Sequence, residues 1–389
     1  MNEYLPTGRH SIGDEEARRM RDALRSEWLT QGPRVVEFEA GLNRLCGSDH
    51  AVAVSHGTTA LYLACRAAGL GPGDRFLVSP ITDLATANAG LLCGAEPVFA
   101  DIDPDTFNLD VELVARILHK DRKLKVVLPT HLGGRVCELD LLAEACAGRG
   151  ATIIEDATHA LGGRWQDRAD SWHSVGDGAF SAMTCFSFDP LRAVTTGEGG
   201  AVVTNDGELA ARLRLLRNRG TTQDPDQVGE NREPWHYEMR ELSFNGRLTE
   251  FQAALGSVQL EKLPRLKRRR LELVRRYDGA FADLAGVTPQ GRPAEDDSCW
   301  QLMIVRTRGR TGLHEHLSGR GIGSRVHYVP VHTQPYYQEH YATRRGDYPL
   351  AEKYYAKALS LPLYPDLTDE DQDRVIEAVR EFHQAGENG

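Results

Sequence analysis

Short apolar runs alternate with amphipathic stretches through the first two thirds of the chain. Ala51-Val52-Ala53-Val54, Phe76-Leu77-Val78, Pro97-Val98-Phe99-Ala100, Lys125-Val126-Val127-Leu128-Pro129 and Thr152-Ile153-Ile154-Glu155 are each followed by a helix candidate or a Gly/Pro turn. Strands that are apolar on both faces and separated by helical periods are the pattern of a parallel sheet wrapped by helices. Near Leu260 the alternation gives way to a long charged helix, Gln259 to about Ala285, closed by Gly286. Beyond it, Cys299–Val305 and Ser324–Tyr328 read as strands with a helix between them, and a last helix runs from Asp369 to about His383. The pattern predicts a large α/β domain over residues 1–260, then a connector helix and a smaller α+β domain over 261–389.

The chain has 389 residues, 41% hydrophobic and 26% charged, which suffices for one large core and a second, smaller one. A net charge of -10 argues against a nucleic acid as the main partner, and the basic run Lys267-Arg268-Arg269-Arg270 reads as the solvated face of a helix. No stretch approaches the roughly 20 apolar residues of a membrane span, and Met1-Asn2-Glu3 opens no signal peptide, so the expected compartment is the cytoplasm. The cysteines Cys46, Cys65, Cys93, Cys137, Cys146, Cys185 and Cys299 are scattered, odd in number and without a CxxC pair. They read as buried thiols, with neither a disulfide framework nor a metal site. Lysine is scarce: the cations are overwhelmingly arginine.

Two stretches carry candidate chemistry on physical grounds alone. Ser55–Ala60 leaves a strand and opens a helix with Gly57, Thr58 and Thr59, so free N–H groups and two hydroxyls face any anion placed there; a plain capped helix explains the same residues. Asp156 follows an apolar strand directly, which lands a carboxylate at the carboxyl edge of a parallel sheet, where ligands bind; capping of the next turn is the alternative.

Six ordered segments, Trp28–Pro33, Ser55–Leu61, Ala85–Asn88, Glu155–Gly162, Asn245–Gly256 and His327–Tyr337, resemble the DegT/DnrJ/EryC1/StrS sugar aminotransferases, and within them the nucleotide-sugar 4-aminotransferases that act on a 4-keto-6-deoxy amino sugar. The resemblance implies the type I aminotransferase fold, a large domain with a mostly parallel sheet plus a smaller C-terminal domain. It also implies a pyridoxal phosphate (PLP) site. In it Thr58, Thr59 and Ser187 contact the phosphate, Asp156 pairs with the pyridinium nitrogen, and His159 contacts the ring hydroxyl side. Asn245 reaches the phosphate of a neighbouring copy, so a homodimer with shared sites is implied. His327, His332 and the turn Gln334-Pro335-Tyr336-Tyr337 resemble the part that frames the sugar nucleotide.

Four positions depart from that pattern. Arg192 stands where the family has the lysine that holds PLP covalently, and a guanidinium is delocalised, charged at any working pH and unable to form that bond. Asp83 replaces the aromatic residue that stacks on the cofactor ring, Asp189 a common histidine, and Gly133 a tyrosine. A paired exchange, with Asp83 and Arg192 bonded across the ring's place, would account for two of them at once.

Three readings are open. The first is a lysine-less biosynthetic enzyme of amino-sugar or secondary metabolism, not a conventional transaminase, in which Arg192 binds an anionic group and Asp83, Asp189, His159 or His332 serve as acid and base on a sugar-like substrate. The second binds pyridoxamine phosphate (PMP) or PLP non-covalently and dehydrates or deoxygenates keto sugars, like the family's sugar 3-dehydratases. The third is a non-catalytic homologue that partners a working aminotransferase.

Overall fold

The computed structural model describes residues 4–230 and 233–387. Seven strands build the main sheet: β1 His50–Val54, β2 Arg75–Val78, β3 Glu96–Phe99, β4 Leu124–Leu128, β5 Thr152–Asp156, β6 Met183–Ser187 and β7 Gly200–Thr204. Their order is β1-β7-β6-β5-β4-β2-β3. Only β7 is reversed, pairing antiparallel with β1 and β6, while β6-β5-β4-β2-β3 are joined by parallel ladders. Side chains alternate between two buried faces: Ala51, Ala53, Val127 and Ile153 enter one core, and Val52, Val54, Val126 and Ile154 the other. Burial on both faces is why these strands are apolar throughout.

Helices α1 Asp14–Leu24, α2 Pro33–Cys46, α3 Gly57–Ala67, α4 Leu84–Leu92 and α5 Glu250–Phe281 include those that matter for the site. The long helix α5 begins at Glu250, well before the expected Gln259, and stops at Phe281. Its first turns bury Ala253, Ala254, Gly256 and Val258, so they lack the charged face that marks the rest of the helix. A third core gathers the second half of α5 (Leu273, Tyr277, Phe281) with Trp300 and a three-stranded antiparallel sheet, β8 Val287–Pro289, β9 Met303–Thr307 and β10 Ala358–Leu361.

Two expected strands differ. The run from Cys299 pairs only from Met303 onward, because Cys299 and Trp300 are fully buried by packing, with the Trp300 indole donating to Asp296 at 2.8 Å. Ser324–Tyr328 makes one bridge, Arg325 to Ser360; side chains replace the ladder there, with His314 bonded to Ser324 and His327 to the Ser360 hydroxyl. The first residues, assigned from the sequence to the large unit, sit with the C-terminal part: Leu5 exchanges backbone bonds with Gly321 and Gly323 and joins the third core. All seven cysteines are buried and reduced.

Glu250 ties the two ends of the large unit together. It is 1% exposed, and its carboxylate accepts from the N–H groups of Gly32, Arg34 and Val35 at 2.9, 2.8 and 3.2 Å. These are orphan donors of the first turn of α2, which has no cap of its own, so a residue remote in sequence caps the helix. Glu250→Ala removes a charged acceptor from one buried and two half-buried donors. It should lower stability by roughly 2–4 kcal/mol in chemical denaturation, whereas a loss within a few tenths of a kcal/mol would show that water replaces the cap.

Candidate active site

The carboxyl ends of β1, β2, β5 and β6 converge on a cavity of about 300 Å³. β1 leads through His56 into α3, whose first N–H groups have no side-chain cap. Gly57 is required there: a Cβ on it would lie 2.6 Å from the Cβ of Ser187 at the end of β6. That approach puts the Ser187 hydroxyl, Thr58 and the open end of α3 on one wall, a cup suited to an anion. Thr59 points elsewhere, bonded to the Ser55 hydroxyl at 3.2 Å and lining a shallow groove with Tyr62 and Phe244.

Asp156 closes β5 and forms the floor. It is 1% exposed and accepts from the Thr86 hydroxyl at 2.6 Å, the Thr158 N–H at 3.2 Å and the Thr130 hydroxyl at 3.4 Å. Thr82 links Thr86 and Thr130 at 3.0 and 2.8 Å. Its neighbour Glu155 faces the opposite side, taking bonds from His131 at 2.8 Å, Thr184 at 2.8 Å and Ser181. His131 Nδ1 accepts from the Cys137 N–H, so its proton lies on Nε2, toward Glu155. These bonds hold the Glu155 carboxyl below its usual range against burial, which acts the other way. The end of β5 is thus fixed from both sides.

Arg192 lies on the loop between β6 and β7. It pairs with Asp189 on the same loop, Nε to Oδ2 at 2.8 Å, and not with Asp83. Asp83 instead caps α4, accepting from the Ala85 N–H at 2.9 Å, and acts on Arg192 only through space. The expected Asp83–Arg192 pair is therefore replaced by a local one, three residues apart, that needs no side chain to cross the cavity. Burial works to lower the Arg192 pKa, but Tyr328, Asp189, Asp156 and Asp83 outweigh it and raise it above the ordinary value. The guanidinium stays charged. None of the seven lysines lines this cavity; Lys125, for example, is bonded to Gly69 and Asp74 at the far end of β4.

His159 stands behind the cavity wall, 3% exposed. Its Nδ1 accepts from the Gly133 N–H at 3.3 Å, and Gly133 is left-handed at φ 70, a backbone conformation that strains any residue with a Cβ. The His159 proton then sits on Nε2, bonded to the Tyr328 hydroxyl at 3.2 Å. Burial, then Arg192, His327 and His131, push the His159 pKa well down, so the ring is neutral. Tyr328 carries no role in the sequence reading, yet it joins Arg192 to His159; burial raises its pKa while Arg192 opposes that. Its signal was its place next to His327.

Two expected site residues lie elsewhere. His332 is fully buried between Phe99 and Tyr348, with Nε2 bonded to Glu352 at 3.0 Å, and does not line the cavity. Asn245 is exposed, on a stretch bridged to Asn218. Conversely, His56, Thr86 and Glu198 line the cavity without having been singled out. Thr86 was legible in principle, one turn into the helix that Asp83 caps. Among the described residues no group of three or more His, Cys, Asp or Glu is poised to hold a metal, and no helix is long and apolar enough to cross a membrane.

His327 shares the depressed state of His159: burial, then Arg192 and Arg325, bring it from 6.5 to about 4. The unfolded ring takes a proton near 6.5 and the folded ring only near 4, so unfolding binds a proton in between. Stability should be full above about 6.5 and fall by roughly 1–3 kcal/mol as pH drops toward 4, read by urea titration, and His327→Gln should shrink that fall. An unchanged pH profile in the variant would remove His327 as the cause.

The sequence pattern of the DegT/DnrJ/EryC1/StrS aminotransferase family matches residues 10–380. The spore coat polysaccharide biosynthesis protein SpsC of Bacillus subtilis is 37% identical over 392 residues, covering 98% of this chain and 97% of that protein. The UDP-4-amino-4-deoxy-L-arabinose–oxoglutarate aminotransferase of Shewanella sediminis is 33% identical over 394 residues, covering 98% of each. Among solved structures, Spr1654 of Streptococcus pneumoniae, assigned as a sugar aminotransferase and determined in its PLP form, superposes with a TM-score of 0.89 at 28% identity, covering 98% of this chain and 99% of that one. The chain therefore belongs to the DegT/DnrJ/EryC1/StrS aminotransferase family and has the type I aminotransferase fold.

Proposed function

We propose that this chain is a divergent biosynthetic enzyme of the cytoplasm that acts on a sugar-like or nucleotide-sugar metabolite and is not a conventional transaminase. The observation that carries the reading is the cavity itself, where a half-buried Arg192–Asp189 pair occupies the loop that should offer an amine and no lysine lines the walls. Transamination needs a proton carrier that can be neutral at working pH, and a guanidinium raised above its ordinary pKa is not one.

The residues fit a cofactor at one end only. Gly57, Thr58 and Ser187 suit the phosphate of PLP or PMP, and Asp156 suits a ring nitrogen, where the group would supply an electron sink. The other end lacks a stacking aromatic and a covalent anchor, so any cofactor is held non-covalently. This chain's own contribution there is a fixed cation, Arg192, able to orient an anionic or carbonyl oxygen, with the carboxylates of Asp83 and Asp189 beside it as acid-base candidates. Preservation of the phosphate cup favours a second reading, PMP-dependent dehydration or deoxygenation of a keto sugar.

Exposed Trp235, Tyr237, Met239, Leu242 and Phe244 lead into exposed Asn245, an apolar patch suited to a second copy of the chain. The patch supports the homodimer that the resemblance implies, with Asn245 entering the partner's cup.

Two experiments test these readings. Wild-type protein mixed with PLP and treated with borohydride should gain no covalent cofactor on a cavity residue by peptide mapping, while PMP or PLP binds saturably by equilibrium dialysis; Arg192→Lys should gain the adduct at position 192. A trapped adduct on a cavity residue of the wild type would overturn the lysine-independent reading, and no binding of either form would direct the search to cofactor-free chemistry or a non-catalytic partner role. Sedimentation velocity should give a dimer for the wild type and a monomer for the Leu242→Glu/Phe244→Glu double variant. A dimer that survives both charges would place the contact elsewhere.

A further inference from the structure

A second cleft, of about 330 Å³, opens between β9 and the helix Pro349–Lys357. Arg306, Arg308, Lys353 and Lys357 line it, and no carboxylate does. On a chain with a net charge of -10, four cations around one small concavity are far from the average surface. The side chains of Arg308, Lys353 and Lys357 make no hydrogen bond or ion pair with any described residue.

Arg306 is partly engaged. Its Nη1 donates to the Pro104 carbonyl at 2.8 Å, its guanidinium lies over the Phe107 ring at 5.2 Å, and Nη2 is 3.7 Å from Asp105, a side chain 80% exposed. Its Nε is buried and has no acceptor. Lys353 and Lys357 stand one turn apart on one helix, where like charges repel, and no acidic side chain lines the cleft to relieve them. The last-turn place of Lys357 suits the helix dipole, but Lys353 and the two arginines gain nothing from that end.

The scaffold around these cations is rigid. The Arg308 N–H is bonded to Gly286 at 2.9 Å, Asp101 caps the start of the helix through the N–H groups of Leu350 and Ala351, and Tyr354 at the floor is buried. The Tyr354 hydroxyl donates to the carbonyl of His327, the residue before Tyr328. The cleft thus lies one side chain behind the wall that faces Arg192.

We propose that this cleft binds a small polyanion of the phosphate class, a diphosphate or a diphosphate-bearing nucleotide. The Arg forks match phosphate oxygens in a planar, two-bond geometry, the lysines add point charges, and three or four cations exceed what a single monoanion neutralises. The site is separate from the cup at Thr58 and Ser187 and is independent of the reaction proposed above.

Calorimetric titration of the full-length protein with inorganic pyrophosphate, and in a separate arm with a nucleoside diphosphate, tests it. Saturable binding that weakens with added salt is expected. The Lys353→Gln/Lys357→Gln double variant should lose roughly tenfold or more in affinity, and Arg308→Gln should weaken binding further. Tighter binding of the nucleotide than of pyrophosphate would assign the ligand as a nucleotide, and equal binding would assign the free anion. Lack of saturable binding by both probes, or undiminished affinity in a double variant with wild-type circular dichroism, would each overturn the proposal.

Discussion

A guanidinium taken out of water that cannot release its proton sets the terms for everything around it. A lysine at position 192 could become neutral; Arg192 cannot, so its charge has to be met where it lies. Asp189 meets it directly, and Asp156, Asp83 and the Tyr328 oxygen add to the field. Burial first, and the same positive charge second, keep His159 and His327 unprotonated, consistent with the hydrogen bonds from Gly133 through His159 to Tyr328. One cation, together with burial, thus keeps the two neighbouring imidazoles neutral.

Opposite this charged end, the cavity keeps an arrangement made mostly of backbone. The open turn at Gly57 exists because Ser187 approaches within a distance that only glycine permits, and Asp156 is held by three threonine-derived donors whose positions follow from the ends of β4, β5 and the first turn of α4. Such features are set by the fold and persist while side chains in the centre change. The cavity is accordingly two-sided: an anion cup made by the fold and an ionic centre made by side chains.

The sheet was legible because a strand buried on both faces leaves an unbroken apolar run, as in Val126-Val127-Leu128, and its carboxyl edge pointed to Asp156 without further information. The start of α5 was not, because Ala253, Ala254 and Gly256 are buried small residues with no charged face to reveal a period. Ser324–Tyr328 alternated like a strand, but its partners turned out to be side chains. Within the site, identity was readable and pairing was not. Sequence placed Asp83, Asp189 and Arg192 in one cavity, yet which carboxylate takes the guanidinium depends on loop geometry that spacing alone does not carry, and His332, flanked by the same motif, turned inward to Glu352.

The loop that bears Arg192 joins β6 to β7, the one reversed strand, and is therefore a hairpin and not a crossover. Ser187 pairs with Gly200, the Phe188 N–H bonds to Gly199, and the Thr196 N–H returns to Phe188, so the loop is closed at its base by main-chain bonds that are indifferent to what stands at its tip. A loop closed in this way can take a different side chain at position 192 while the scaffold registers nothing. The chemistry of the cavity's charged end is thus decoupled from the stability of the body that carries it.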